Sequence, residues 1–172
     1  MTETKSSNQD PASILNVLKH CRPVLVWMLV IFMASTSLGT SEHSKTIIRA
    51  TLAFLHLDVS PHRIHTIDHL LRKLAHGLEY GILALLVWRA RRSTTSTTHL
   101  WVWKEFFWIV GFAMFYASTD EFHQLFVASR TPSFYDVLID TSGAAMMLLA
   151  VWFWKRAREI WDRETNGGPV SA

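Results

Sequence analysis

The sequence is poor in cysteine and in charge. Cys21 is its single cysteine, which excludes a disulfide framework within one chain and a zinc ribbon built on cysteine ligands. Charged residues make up 18% of the 172 residues, against about 25% in a typical soluble domain. Because 49% of the residues are hydrophobic, the composition argues against a disordered chain and against a soluble enzyme.

Hydrophobic and aromatic residues are abundant instead, with eight Trp and ten Phe in a chain of single-domain length. A helix needs about 20 mainly apolar residues to cross a bilayer. Four stretches approach that length, at about 22–39, 68–88, 101–123 and 134–154. They predict an all-α, polytopic membrane helix bundle with four transmembrane helices.

The basic residues predict how this bundle is oriented. Both termini lie on the cytoplasmic side if positive charge is concentrated there. That side then holds eleven of the 17 basic residues: Lys5, Lys19, Arg22, Arg89, Arg91, Arg92, Lys104, Lys155, Arg156, Arg158 and Arg163. The same asymmetry explains the net charge of +3, so no nucleic-acid partner is expected.

The remaining segments complete the predicted organisation. Residues 1–13 are interpreted as a disordered cytoplasmic tail, residues 14–160 as the membrane domain, and residues 161–172 as a second cytoplasmic tail. Cleavage of the first apolar stretch as a signal peptide is an alternative, because Ala34, Ser35 and Ser37 are small.

The outer loop, at about residues 40–67, carries signs of further helix. An apolar stripe at helical spacing predicts a short interfacial helix in this loop: Ile47, Ile48, Thr51, Leu52 and Leu55. Ser60 and Pro61 follow as an N-cap and a first helical residue.

Polar residues interrupt the second predicted span. Lys73, His76 and Tyr80 are spaced three and four apart, so they share one helix face, and Glu79 lies beside them. A carboxylate at this depth requires a partner or a proton. The functional interpretation is a polar pocket between helices; the structural alternative is that Lys73 extends to the membrane surface and His76 bonds a neighbouring helix.

The third and fourth spans carry further acids. Asp120, Glu121 and Gln124 can converge at the end of the third span, although an ordinary polar helix end has the same composition. Ser133 and Asp136 match a capping box at the start of the fourth, whereas Asp140 lies one turn deeper with no such role.

Two neighbouring features complete this region of the fourth span. Arg130 is the expected countercharge for the acids. Gly143 and Ala144 continue the line of Asp136 and Asp140 and allow close helix approach. Together with the second and third spans, these residues predict one polar pocket that opens away from the cytoplasm.

These residues resemble a known family. Residues 73–83, KLAHGLEYGIL, resemble the first motif of VanZ-like integral membrane proteins, and residues 120–126, DEFHQLF, with 130–131 and 136–143, resemble the second. The likeness covers about residues 22–155. It implies a bacterial cytoplasmic-membrane protein with four or more spans, related to an accessory protein of glycopeptide-resistance clusters that is linked to lowered teicoplanin susceptibility.

Three functions are compatible with such a pocket. In the first, an enzyme acts on a phosphate-containing envelope lipid, for example one linked to a polyprenyl phosphate. Its candidate catalytic residues are His76, Glu121, Asp136 and Asp140, and its candidate substrate-binding residues are Lys73, Glu79, Tyr80, Asp120, Gln124 and Arg130. The carboxylates would act as general base or hold a divalent cation such as Mg²⁺.

The other two functions involve no reaction. A lipid binder or transporter would use the same pocket, and with four spans a transporter would require a homodimer. A structural or regulatory subunit would use the polar network to hold its helices together. A separate hypothesis is a metal site on His62, His65 and His69, whose alternative is a solvated, histidine-rich helix end.

Overall fold

The computed structural model describes residues 11–35, 46, 48–51, 54, 56, 59–94, 103–126 and 133–166. Four long helices account for most of them: α1 (Pro11–Ser35), α2 (Pro61–Thr94), α3 (Trp103–Gln124) and α4 (Phe134–Asn166). No strand occurs in these ranges. The all-α fold class is therefore confirmed.

One helix start was predicted correctly from the sequence, and two helices are longer than predicted. Helix α2 begins at Pro61 as predicted, and the Ile64 amide donates to the Ser60 carbonyl oxygen at 3.1 Å. Proline suits this position because its missing N–H would have no partner in the first turn. Helix α1 already begins at Pro11, and α4 continues to Asn166, so both extend into segments interpreted as tails.

The connection between α1 and α2 contains helical residues at Thr46, 48–51 and Phe54. They coincide with part of the predicted interfacial helix. Ile47, Leu52 and Leu55 of its apolar stripe lie outside the described residues.

Successive helices run antiparallel. Ser35 at the end of α1 meets Asp120 near the end of α3, and Lys73 in the first half of α2 meets Asp136 at the start of α4. At the opposite end, Arg91 of α2 lies near Glu105 at the start of α3. The bundle therefore has an acid-rich end, and its described termini lie together at the other end.

Helices α2 and α4 form the most extensive contact in the bundle. Its centre is the crossing of Gly77 and Gly143, where a Cβ built on Gly143 would overlap the Gly77 carbonyl oxygen and lie 2.6 Å from the carbonyl carbon. Next to it, a Cβ on Gly81 would lie 3.3 Å from the Gly143 carbonyl oxygen. The close approach predicted from Gly143 is confirmed, and it brings the polar residues of both helices together.

The bundle has an apolar core, but it also buries polar residues and exposes large apolar ones. Several polar residues are buried, namely Ser35, Asp68, Asp120, Gln124 and Asp140, while large apolar residues of α2 and α3 such as Leu74, Phe107 and Phe115 are 60% to 69% exposed. Among the described residues, two helical stretches are long and apolar enough to cross a membrane, Leu18–Ser35 and Phe134–Thr165.

Candidate functional site

Five acidic side chains gather at the acid-rich end, and we call them the carboxylate cluster: Glu79, Asp120, Glu121, Asp136 and Asp140. Glu79 comes from α2, Asp120 and Glu121 from α3, and Asp136 and Asp140 from α4. The other four are close enough to act electrostatically on Asp140. The sequence-based expectation that these distant stretches meet is supported by this arrangement.

Asp120 is the buried centre of a hydrogen-bond network. Its Oδ2 accepts a 2.6 Å hydrogen bond from the Ser35 hydroxyl and a 3.3 Å bond from the Gln124 side-chain amide. The second bond follows from their i, i+4 spacing on α3. The bond from Ser35 ties the end of α1 to α3 and spans 85 positions of sequence.

Asp140 and Tyr80 lie beside this network with unsatisfied atoms. Asp140 is 3% exposed and Tyr80 is fully buried. Within the described part of the chain, the Asp140 Oδ1, the Tyr80 hydroxyl and the Asp120 Oδ1 have no hydrogen-bond partner. Buried polar atoms without partners are costly, so a water, an ion or a ligand that bonded to them would be stabilising here.

Asp136 has a different role from the predicted one. The Ser133 hydroxyl does cap α4, by accepting from the Tyr135 amide at 3.2 Å. The Ser133 amide, however, donates to the Glu121 carboxylate at 2.7 Å, and Asp136 accepts a 2.8 Å bond from Lys73. The capping-box prediction is therefore wrong for Asp136, because a glutamate from α3 occupies the position its carboxylate would take.

His76 and Glu79 form a second, partly exposed pair. The His76 Nδ1 lies 3.5 Å from the Glu79 carboxylate, and their side chains are 23% and 25% exposed. The backbone carbonyl of Glu79 accepts a 2.9 Å bond from the Trp27 indole, which fixes α1 against this part of α2. Lys73 and Asp136 are similarly exposed, at 30% and 35%. These two pairs form a rim around the buried acids.

An apolar groove of about 360 Å³ runs along the α2–α4 contact. Lys73 lies at its end towards the carboxylate cluster and is the charged residue among those that line it: Lys73, Leu74, Gly77, Leu78, Gly81, Ile139, Gly143, Met146, Met147 and Ala150. From Ile139 to Ala150 the helical rise gives the groove a length of about 16 Å. Gly77, Gly81 and Gly143, which line it, let the two helices approach each other closely.

Several residues at this site have contacts that were not predicted from the sequence. Ser35 was considered only as part of a cleavage site, and Ser133 only as a cap. His123, whose Nδ1 is buried with no hydrogen-bond partner in the described ranges, has its ring 4.5 Å from that of Phe32. The Tyr116 hydroxyl donates to the Met28 carbonyl at 2.6 Å. The contacts of Ser35 with Asp120, of Phe32 with His123 and of Met28 with Tyr116 all join α1 to α3. Spacing within one helix does not indicate such contacts.

The remaining predicted residues are Arg130 and three histidines at the start of α2. Arg130 lies outside the described residues. His62, His65 and His69 are exposed, and neither they nor any other described His, Cys, Asp and Glu residues form a group of three that could hold a metal ion. The hypothesis of a histidine metal site is therefore not supported.

Comparison with known proteins gives one match. A family model described as VanZ/LLP1 matches residues 23–155, which include α2 and α3 and most of α4 and about half of α1. No curated protein and no solved structure matches the chain.

Proposed function

The chain belongs to the VanZ/LLP1 family, and we propose that it binds the phosphate-bearing head group of a cell-envelope lipid at its carboxylate cluster. In this proposal the protein crosses the bacterial cytoplasmic membrane four times, with the cluster on the outer side. Binding there would alter the availability of that lipid and so the susceptibility of the cell to glycopeptides.

The observation that carries this proposal is the position of Lys73. Its ammonium group lies at the end of an apolar groove and next to a cluster of polar side chains. A ligand that fits both surroundings has an anionic group joined to a hydrocarbon chain, which describes a lipid phosphate such as a polyprenyl phosphate. The groove takes the chain and Lys73 takes the phosphate.

The rim residues and the buried acids would bind different parts of the head group. The partly exposed Lys73 and His76 are accessible to a head group, and a phosphate would compete with Asp136 for the Lys73 ammonium. The unsatisfied oxygens of Asp120 and Asp140 would accept hydrogen bonds from head-group hydroxyl or amino groups.

The four-span topology is supported by the outward apolar surfaces of α2 and α3, which would otherwise contact water. It can be tested with single cysteines in a Cys21→Ser background. An impermeant maleimide added to intact cells should label Thr66→Cys, near the carboxylate cluster, and leave Ser93→Cys, at the other end, unlabelled. The opposite pattern would reverse the orientation, and labelling of both would contradict the topology.

Lipid binding can be tested on purified protein with a polyprenyl phosphate and the matching uncharged polyprenol. Wild type should bind the phosphate more tightly. Lys73→Gln should weaken binding about tenfold or more, since a charge-assisted bond contributes about 1.5–3 kcal/mol. Lys19→Gln, at an exposed lysine of α1, is the matched control and should bind as wild type. Equal affinity for both lipids would refute the proposal.

Catalysis is a second candidate, supported by the 3.5 Å His76–Glu79 pair, in which the carboxylate can orient the imidazole for proton transfer. Incubation of wild type with Mg²⁺ and the polyprenyl phosphate should then hydrolyse the lipid to polyprenol and inorganic phosphate. His76→Ala should bind the lipid without hydrolysing it. An unchanged lipid would leave binding as the function and exclude hydrolysis of that lipid.

A further inference from the structure

The end of the bundle opposite the carboxylate cluster carries a group of basic and aromatic residues, which we call the basic cluster: Trp88, Arg91, Arg92, Glu105, Trp108 and Lys155. Three helices supply it, with Trp88 and both arginines from α2, Glu105 and Trp108 from α3, and Lys155 from α4. The Arg91 guanidinium lies 4.9 Å from the centre of the Trp108 ring.

Two cationic side chains, Arg92 and Lys155, pack against the Trp88 ring. The Lys155 ammonium lies 4.4 Å from the Trp88 ring centroid, and the Arg92 guanidinium carbon lies 5.4 Å from it. Attraction to the ring accounts for each contact separately. The two cations also repel one another electrostatically, so a nearby anion would be attracted by both and would relieve this repulsion.

The acidic residues of this end form their ion pairs with arginines and not with Lys155. The Glu105 carboxylate is shared by Arg91 and Arg92, at 3.9 and 4.0 Å. Glu159 acts on Lys155 electrostatically but pairs with Arg156 at 3.5 Å. Among the described residues, Lys155 has no ion-pair partner although it is half-buried.

We propose that Arg92 and Lys155 bind the phosphate of an anionic membrane phospholipid at the basic cluster. A lipid is favoured over a soluble phosphate because exposed apolar side chains of α4, Phe153 and Trp154, lie at the same level of the bundle as Lys155, at 63% and 67% exposure, and offer an apolar surface to acyl chains. This lipid site is separate from the carboxylate cluster and does not depend on the function proposed there.

The test is the melting temperature of the purified full-length protein in neutral detergent, together with bound lipid counted by native mass spectrometry. Phosphatidylglycerol should raise the melting temperature and remain bound, whereas phosphatidylcholine should do neither. Glycerol 3-phosphate is the soluble probe and should have no effect. If it stabilises the protein as much as phosphatidylglycerol, the ligand is a soluble phosphate and the lipid proposal is overturned.

Variants then locate the site. Lys155→Gln should weaken phosphatidylglycerol binding about fivefold, because one basic residue near a membrane surface contributes about 1 kcal/mol. Lys155→Arg keeps the charge and should bind as wild type. Lys104→Gln removes the same charge from an exposed lysine of α3 at the same end and should also bind as wild type. Equal weakening by Lys155→Gln and Lys104→Gln, or none by either, would overturn the site.

Discussion

The two ends of the bundle differ in how their charged side chains are bonded. At the carboxylate cluster, Asp120 and Asp140 are buried, and the acids are joined across helices by bonds of 2.6 to 2.8 Å from Ser35, Ser133 and Lys73. At the basic cluster, the ion pairs of Glu105 are 3.9 and 4.0 Å long, and aromatic rings provide much of the contact. Short hydrogen bonds to acids distinguish the first end, and longer ion pairs with aromatic contacts distinguish the second.

This difference has an energetic consequence. Burying a carboxylate without full compensation costs several kcal/mol, so a buried acid with an unsatisfied oxygen is poor evidence of a stabilising role. Solvated basic residues beside tryptophan cost little, because water, aromatic rings and lipid phosphates all stabilise them. We therefore expect changes at the carboxylate cluster to separate stability from binding, and changes at the basic cluster to have small effects on stability.

The largest expected effect comes from the glycine crossing that assembles the carboxylate cluster. Gly143→Ala places a Cβ against the Gly77 backbone, which cannot move aside as a flexible side chain would. We expect a loss of about 3 kcal/mol in the free energy of unfolding, at the upper end of overpacking costs. The measurement is denaturant unfolding in detergent micelles.

The matched control for the glycine crossing is Gly111→Ala on α3, where an added Cβ meets nothing within 4 Å. It should be neutral or stabilising by up to about 1 kcal/mol, because alanine favours helix. Equal losses at Gly143 and Gly111 would show that the crossing does not hold the cluster together.

Ser35→Ala should have the next largest effect. It removes the 2.6 Å donor to Asp120 and leaves a buried carboxylate oxygen less satisfied, which costs about 1–3 kcal/mol. Ser118→Ala is the control, because Ser118 is exposed and its hydroxyl bonds only to the Met114 carbonyl of its own helix. If thermal unfolding cannot distinguish the two variants, Asp120 does not depend on α1.

The Lys73–Asp136 pair should show a smaller, measurable coupling. A double-mutant cycle with Lys73→Gln and Asp136→Asn should give about 1 kcal/mol, since the pair is short but about one-third exposed. The stability of the two single variants and of the double variant is measured at one ionic strength. A coupling near zero would mean that this pair resembles the ion pairs of the basic cluster.

The smallest effect is expected at Arg91 and Glu105. A cycle with Arg91→Gln and Glu105→Gln should give less than about 0.5 kcal/mol, because the atoms are 3.9 Å apart and the Arg91 side chain is 39% exposed. Raising the salt concentration should reduce that coupling further. A coupling larger than that of Lys73 and Asp136 would remove the distinction between the two ends.

Local features of both ends were predictable from the sequence, and long-range ones were not. The Ser60–Pro61 helix start, the Asp120–Gln124 bond and the close approach at Gly143 follow from spacing within a few residues. The bond from Ser35 to Asp120 depends on how far α1 slides along α3, which no residue pattern specifies. The Asp136 capping role failed for the same reason: Glu121 and Lys73, from other helices, compete for the local partners.

The groove was equally inaccessible to sequence analysis. It requires Gly77 and Gly81 of α2 to face Gly143 of α4, and only the crossing of the two helices determines that register. In the ranges that the structure describes, hydropathy supports two of the four predicted spans, Leu18–Ser35 and Phe134–Thr165. Helix α2 is not among them, because it carries Arg72, Lys73 and Glu79 within its apolar stretch.

The central claim is that the buried acids serve a ligand rather than the stability of the bundle. Asp120→Asn tests it most directly, because an amide oxygen can still accept from Ser35 while the negative charge is lost. The melting temperature and the binding of a polyprenyl phosphate that carries a sugar head group, whose hydroxyl groups can donate to Asp120, are measured on the same preparation. We predict an unchanged or higher melting temperature with binding reduced at least about tenfold; a lower melting temperature with binding retained would contradict the claim.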